Sequence, residues 1–333
     1  MNATKGPEER TVDETLEALK AAVCDPAGSV ALTHEQIKGL LDHRPRSLDE
    51  YRLQRIAEWS QARYALDNRF VNLTLLLDQG QDAKDGRWRE PPAKQAFKDL
   101  RSILAALPDH PALVVLGAPG SGKSTLLRRL QMDESITQLR DGGDRVCFFL
   151  SLNRYRADEG KPLPAPRTWL AQEWASRYPD LPPLPQLLAG GKVLLLLDAL
   201  NEMPHRDADE YAERVGLWRL FIEDMLHSGN RLVFSCRRLD YSELLSRDEI
   251  DVPQIQVPPM DAGQVRQFLA SYLPAKAGMI WAKLDGKREF ELYQTPYLLS
   301  LLVEQFEGHF AAPYCRFSSP LLLLNMSRLR ISL

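Results

Sequence analysis

A chain of 333 residues has room for two domains, or for one core with arms. Apolar residues make up 44% of it, the ordinary share for a globular protein with a buried core. The 42 basic and 45 acidic residues leave a net charge of −3, so there is no electrostatic footprint for nucleic acid, although a local basic face would still fit that balance. Cys24, Cys147, Cys236 and Cys315 are scattered with no C-x-x-C spacing, and the six histidines include no H-E-x-x-H, which argues against a disulfide framework and a structural metal. Met1 to Glu9 is polar and lacks the apolar segment of a secretory signal, and no run approaches the length of a membrane span. A reducing cytoplasm is the expected location.

Residues 1–49 read as a helical appendage. Thr11 opens an amphipathic helix that carries Leu16, Leu19 and Val23, and Thr33 with Gln36 makes a capping-box pattern before Ile37 and Leu40. A packing arm or loosely ordered tail is favoured for this segment over an effector. Residues 50–110 form a lead-in, with a helix over Tyr51–Trp59 and an extended entry over Arg69–Leu77. A loop over 78–93 and an amphipathic helix over Ala96–Leu107 complete it. Residues 111–259 then alternate apolar strands and helices, the pattern of a parallel α/β sheet. Strands are expected near 112–116, 145–152, 193–198, 231–236 and 254–258. Helices are expected near 123–132, 167–177, 209–227 and 261–273, with a short one near 186–191. Phe290–Phe306 is a further apolar helix in pattern. Residues 308–333 contain no acidic residue and break abruptly into Pro320-Leu321-Leu322-Leu323-Leu324, which reads as a truncated or frame-altered end, or else as a short final helix.

Between the first core strand and the helix at 123 lies Gly117-Ala118-Pro119-Gly120-Ser121-Gly122-Lys123-Ser124, a match to G-x-x-x-x-G-K-[ST] in the strand–loop–helix setting that this motif requires. Glycines let the backbone curl so that successive N–H groups face a phosphate, and the helix start adds its positive end. Lys123 is expected to reach the β- and γ-phosphate oxygens and Ser124 to ligate Mg²⁺, while Thr125 packs or caps locally.

The run Val193–Leu197 ends in Asp198 and continues Ala199-Leu200-Asn201-Glu202. Five successive apolar residues read as a strand buried on both faces, and a carboxylate at its C-terminal end sits where open α/β sheets bind ligands. Asp198 is the expected Mg²⁺ partner, through the ion's water shell, or else a helix cap. Glu202 is the candidate for polarising the attacking water, or else a solvated charge. A third strand, Arg231–Cys236, delivers Arg237 to the same rim. There its fork either senses a γ-phosphate or pairs with a nearby acid such as Asp240, and the two are compatible in different nucleotide states.

Taken in this order, GAPGSGKST at 117–125, LLLLDALNE at 194–202 and FSCRRLDY at 234–241 resemble the NACHT group of STAND nucleotide-triphosphatases, relatives of the AAA+ ATPases. Arg69-Phe70-Val71-Asn72-Leu73 resembles the lead-in to bacterial NACHT cores, and Thr295-Pro296-Tyr297-Leu298-Leu299 resembles the lid segment whose proline touches nucleotide. The resemblance spans roughly residues 50–306. It implies a P-loop core with strand order 5-1-4-3-2 and a small helical lid over residues 260–307. Nucleotide would be held by Gly117, Ala118, Pro119, Gly120, Ser121, Gly122, Lys123, Ser124, Thr125 and Pro296, with Mg²⁺ at Ser124 and Asp198, and Glu202 and Arg237 would be catalytic. One departure stands out. The family's Walker B pattern is D-G-x-D-E, and Asn201 replaces its second aspartate, which bears on hydrolysis more than on binding.

The expected function is an ATP-binding switch with slow Mg²⁺-dependent hydrolysis and self-association in the ATP state. Its signalling or antiphage role follows by analogy alone. A scaffold that holds ADP or ATP without turnover is the alternative. A GTPase would need an N-K-x-D element, which the chain lacks, and a mechanical remodeller would need pore loops that the sequence does not display.

Overall fold

The computed structural model describes residues 10–25, 28–61, 73–78, 88–89, 96–97, 99–242, 245–246, 250–307 and 329–331. The N-terminal helices are α1 (Val12–Cys24), α2 (His34–Asp42) and α3 (Leu48–Trp59), with a short strand β1 (Val30–Leu32) between the first two. Capping boxes close at Thr11 with Glu14 and at Thr33 with Gln36, because each hydroxyl accepts from the amide three residues on and the Glu or Gln side chain returns the bond. Next come strands β2 (Leu73–Asp78), β3 (Trp88–Arg89) and β4 (Ala96–Phe97), then helix α4 (Leu100–Ala106).

The core runs β5 (Ala112–Gly117), α5 (Lys123–Asp141), β6 (Val146–Ser151), α6 (Pro166–Arg177), α7 (Leu184–Ala189), β7 (Val193–Asp198), α8 (Ala208–Asp224), β8 (Arg231–Arg237) and β9 (Gln254–Val257). The sheet order is β9-β5-β8-β7-β6, all parallel, which is 5-1-4-3-2 when the core strands are counted along the chain. Every residue of β5 and β7 is buried, the condition of central strands covered on both faces. Alternate side chains divide between two layers. Val114, Leu116, Leu195, Leu197 and Phe234 pack with the Trp169, Trp174 and Trp218 side of α6 and α8. Leu113, Val115, Leu194, Leu196 and Val233 pack with Ile103 of α4 and Leu127 of α5.

Outside β9 the sheet continues with β2, antiparallel, which in turn pairs antiparallel with β3 and β4. The extended entry expected over 69–77 is therefore, over its described part, a strand paired on one side with β9 and on the other with β3 and β4; residues 69–72 of the lead-in resemblance lie outside the described residues.

The N-terminal helices share one apolar cluster with the outer face of α5: Leu19, Leu40 and Ile56 meet Met132 and Leu139. Gln131 of α5, buried, fastens this layer. It accepts from Trp59 Nε1 at 2.7 Å and donates to Tyr51 Oη at 3.0 Å and to the Cys147 carbonyl at 2.6 Å. This packing explains why α5 runs to Asp141 rather than stopping near 132: Leu139 has a partner surface, and Gly142, at φ +65°, ends the helix.

Beyond β9 lie α9 (Ala262–Tyr272), α10 (Ala277–Leu284) and α11 (Pro296–Glu307), gathered round Val265, Leu269, Ile280 and Leu299. The single helix expected over 290–306 is instead a 3₁₀ segment, Arg288–Gln294, followed by α11. The cause is local: the residue before a proline avoids helical backbone, and Thr295 sits at φ −106°, ψ 137°. Likewise the helix expected from Ala96 starts only after Asp99, whose carboxylate caps the Ser102 amide. A last strand, β10 (Leu329–Ile331), pairs in parallel with β1, and the remaining residues of the 308–333 tail lie outside the described residues.

Candidate functional site

The C-terminal ends of β5, β7 and β8 lie side by side, with Gly117 in register with Arg237 and Leu197 with Phe234. Every site residue predicted in the core lies at one of these three strand ends, in the loop that leaves it, or in the first turn of α5. Gly117 closes β5 where space is least: a Cβ there would stand 2.6 Å from Ser121 Oγ. Gly120 at φ +73° and Gly122 at φ +89° take the left-handed backbone that turns the chain into α5. Gly122 is the N-cap and brings no side-chain acceptor, so the first amides of α5 face the loop.

Inside that curl the Ser121 hydroxyl is buried with no hydrogen-bond partner among the described residues. Lys123 bends over the loop, and its Nζ donates to the Gly117 and Ala118 carbonyls at 2.9 and 2.8 Å. Burial holds its ammonium below the usual lysine range. The Asp198 carboxylate opposes that shift, and the charges of Arg237 and Glu202 also act on it. Ser124 and Thr125 follow in the first turn of α5, both partly exposed.

Asp198 is buried at the end of β7, and its Oδ1 accepts from Ser235 Oγ at 2.5 Å. The same hydroxyl accepts from the Ala199 amide at 2.9 Å, which fixes the first peptide of the loop. Ala199 itself holds φ +62°, a left-handed value that a side chain disfavours. Glu202 and Arg237 meet across the two loops, Oε1 to Nη2 at 3.0 Å, and Asp240 stands 3.8 Å from Nη1 of the same arginine. The acid expected beside Arg237, Asp240, is therefore near it, and Glu202, which the sequence did not pair with this arginine, is nearer still. Cys236, beneath them, is buried, and desolvation pushes its thiol up to about 12.

The helices after β9 reach this rim at one point. The Tyr297 amide faces the Gly120 carbonyl at 3.4 Å, and a Cβ on Gly120 would stand 3.0 Å from Tyr297 Cβ. Pro296, the residue predicted to touch nucleotide, immediately precedes this contact.

Sequence reasoning did not assign Ser235, Tyr297 or the bridging role of Asn201. A serine one step before Cys236-Arg237 was visible as a polar break in an apolar strand. Nothing in a linear pattern pairs Tyr297 with Gly120. A cleft of about 830 Å³ among Arg101, His110, Arg145 and Arg231 opens at the other end of the sheet and includes none of the predicted site residues.

The residues present suit a nucleotide polyphosphate with its magnesium ion. An uncapped helix start, a loop that excludes side chains and an orphaned hydroxyl match an anion's oxygens. One buried carboxylate and one helix-start hydroxyl match a cation that keeps most of its water and phosphate ligands. Among the described residues no cluster of three or more His, Cys, Asp or Glu forms a metal cage, and no helix is long and apolar enough to cross a membrane.

The NACHT domain family matches residues 112–276. Among solved structures the chain is similar to the Walker-type ATPase of Pyrococcus abyssi, with 14% identity, a TM-score of 0.38 and coverage of 61% of this chain and 65% of that one. It is also similar to a chain of the HORMA:CdnC:Trip13 complex of E. coli MS115-1, at 16% identity and a TM-score of 0.35 over 56% and 63%. PCH-2 of C. elegans follows at 13% identity and a TM-score of 0.33 over 54% and 46%. The chain thus spans less than two thirds of each of these solved chains. No curated protein matches it. The family match makes residues 112–276 a NACHT domain, and the parallel sheet with the glycine loop at 117–124 is the P-loop NTPase arrangement that such a domain has.

Proposed function

We propose that the chain is an ATP-binding switch module of the STAND type that hydrolyses Mg²⁺-bound ATP slowly. The observation that carries this reading is the convergence of Lys123, Asp198, Glu202 and Arg237 on one strand-end rim, with the helices after β9 touching the loop at Gly120. Gly117, Ala118, Pro119, Gly120, Ser121 and Gly122 would wrap the phosphates with backbone amides, and Thr125 would support the helix start. Lys123 would leave the Gly117 and Ala118 carbonyls to meet β- and γ-phosphate oxygens. Magnesium, when bound at Ser124 and near Asp198, supplies charge neutralisation between the phosphates. Ser235 holds Asp198 ready for that task.

Glu202 would accept a proton from, and orient, the attacking water, while Arg237 would turn its fork to the γ-phosphate. Their ion pair must open first, which accounts for slow turnover. Pro296 and Tyr297 would let the helical lid over 260–307 feel whether the loop is filled. ATP and ADP then bias the lid only as far as their contacts differ, and self-association of the ATP form, signalling and defence in a cytoplasmic setting follow on that basis. The same ion pair, together with Asn201, favours a second reading, a scaffold that keeps nucleotide without turnover.

Phosphate release from purified protein separates the two. Turnover that Glu202→Gln abolishes supports the enzyme, and no release from the parent at any concentration leaves the scaffold.

A further inference from the structure

Asn201 stands where the resemblance implies an aspartate, and both ends of its side chain are used. Nδ2 donates to Asp240 Oδ2 at 3.1 Å, and Oδ1 accepts from the Arg237 backbone N–H at 3.1 Å. The Asn201 backbone amide lies against the Cys236 thiol. Asp240 is 3.8 Å from one Arg237 nitrogen, and Glu202 is 3.0 Å from another. The loop after β7 and the loop after β8 are thus closed into one circuit by an amide.

The amide satisfies both partners, with its donor and its acceptor on separate atoms. Asp240 is an acceptor and the Arg237 N–H is a donor, so the bridging group must offer one of each. An aspartate at 201 would still accept from Arg237 but would turn its second oxygen against Asp240, and two carboxylates that close cannot both stay ionised. The Glu202–Arg237 pair has side chains 43% and 45% exposed, and an ion pair in that much solvent fixes geometry weakly. The Asn201 bonds, one of them to a backbone N–H that cannot swing away, add a second tie between the same two loops.

We propose that Asn201 and Asp240 are positioning residues, an amide–carboxylate clasp that joins the loop of Glu202 to the loop of Arg237 so that both meet the γ-phosphate as one unit. This rests on the reading of Glu202 and Arg237 given above. The clasp accounts for Asn201: the asparagine and Asp240 are chemical complements, and the exchange of the two restores the same bonds with reversed polarity.

The test uses the full chain as parent, Asn201→Asp, Asp240→Asn and the double exchange, with Lys123→Ala as control. Fluorescent ATP and ADP titrations give the ATP-over-ADP preference, measured at several pH values. Each single change is expected to reduce that preference about tenfold. The double exchange is expected to return it to within about threefold of the parent, a non-additive result of the kind that coupled neighbours give. Asn201→Asp is expected to recover as the pH falls, because one shared proton relieves the two acids, whereas Asp240→Asn has no such pH response. A double exchange as poor as the worse single, or a parent without ATP preference, overturns the clasp while leaving the nucleotide site in place. Lys123→Ala that binds ATP like the parent overturns the site and the clasp together.

Discussion

Gly120→Ala tests how the phosphate loop and the helices after β9 share one small space. Gly120 sits at φ +73°, where an added methyl costs about 1–2 kcal/mol in backbone strain, less about 0.5 kcal/mol recovered from the unfolded chain. Gly142, the C-cap of α5, sits at φ +65° with nothing within 4 Å of the place a methyl would take, so Gly142→Ala carries the backbone cost alone. The new Cβ at 120 additionally stands 3.0 Å from Tyr297 Cβ, which cannot swing aside as a side-chain tip does, so α11 has to give by a few tenths of an ångström. Both variants are expected to lower Tm by about 1–2 °C from the shared backbone term, with Gly120→Ala lower by a further degree or so. Only Gly120→Ala narrows the loop, and its ATP affinity is expected to fall at least about tenfold, measured by titration, while Gly142→Ala binds as the parent does. Equal affinities in the two variants would refute the assignment of this loop as the phosphate cradle.

Gln131→Leu keeps the volume but removes the acceptor of Trp59 and the donor to Tyr51 and the Cys147 carbonyl, so thermal unfolding should show a loss of about 2 kcal/mol; an unchanged Tm would mean that the N-terminal layer is not fastened there. Ala199→Gly relieves the left-handed strain at φ +62° and is expected to raise stability by about 0.5–1 kcal/mol in denaturant titration, and a loss would show that the methyl has a packing role. Stability should also fall on the alkaline side. Burial raises the thiols of Cys147 and Cys236 and the phenols of Tyr51 and Tyr155, so the unfolded chain, with its thiols near 9.0, releases protons first and the folded form loses ground as pH climbs from there towards the value of about 12 for Cys236. A Tm that stays flat from about pH 9 to pH 11 would contradict that burial.

The sheet was legible because its strands are apolar runs that end in polar residues. Leu194–Leu197 leaves no choice but burial on both faces, and Asp198 marks the C-terminal end of the strand. The turn of the glycine loop was legible because glycine spacing is itself a conformational statement, as the φ values at Gly120 and Gly122 show. Capping boxes at Thr11 and Thr33 were local enough to be read directly. What escaped was non-local or competed with a simpler pattern. The apolar periodicity of 290–306 hid the backbone restriction that Pro296 places on Thr295. The short helix α10 carries few polar positions to give it a face, and only its packing of Ile280 and Leu284 against α9 reveals it. The amide of Asn201 reaches Asp240, 39 positions later, and no periodicity encodes a contact between two loops.

Isothermal titration of ATP into the parent and into Lys123→Ala, at matched folded fractions, reaches the central claim most directly. A half-buried ammonium already held over the loop by the Gly117 and Ala118 carbonyls is expected to supply most of the polyphosphate affinity, so the variant should bind at least about a hundredfold more weakly, or about 2.7 kcal/mol. An ATP affinity in Lys123→Ala equal to that of the parent would contradict the account.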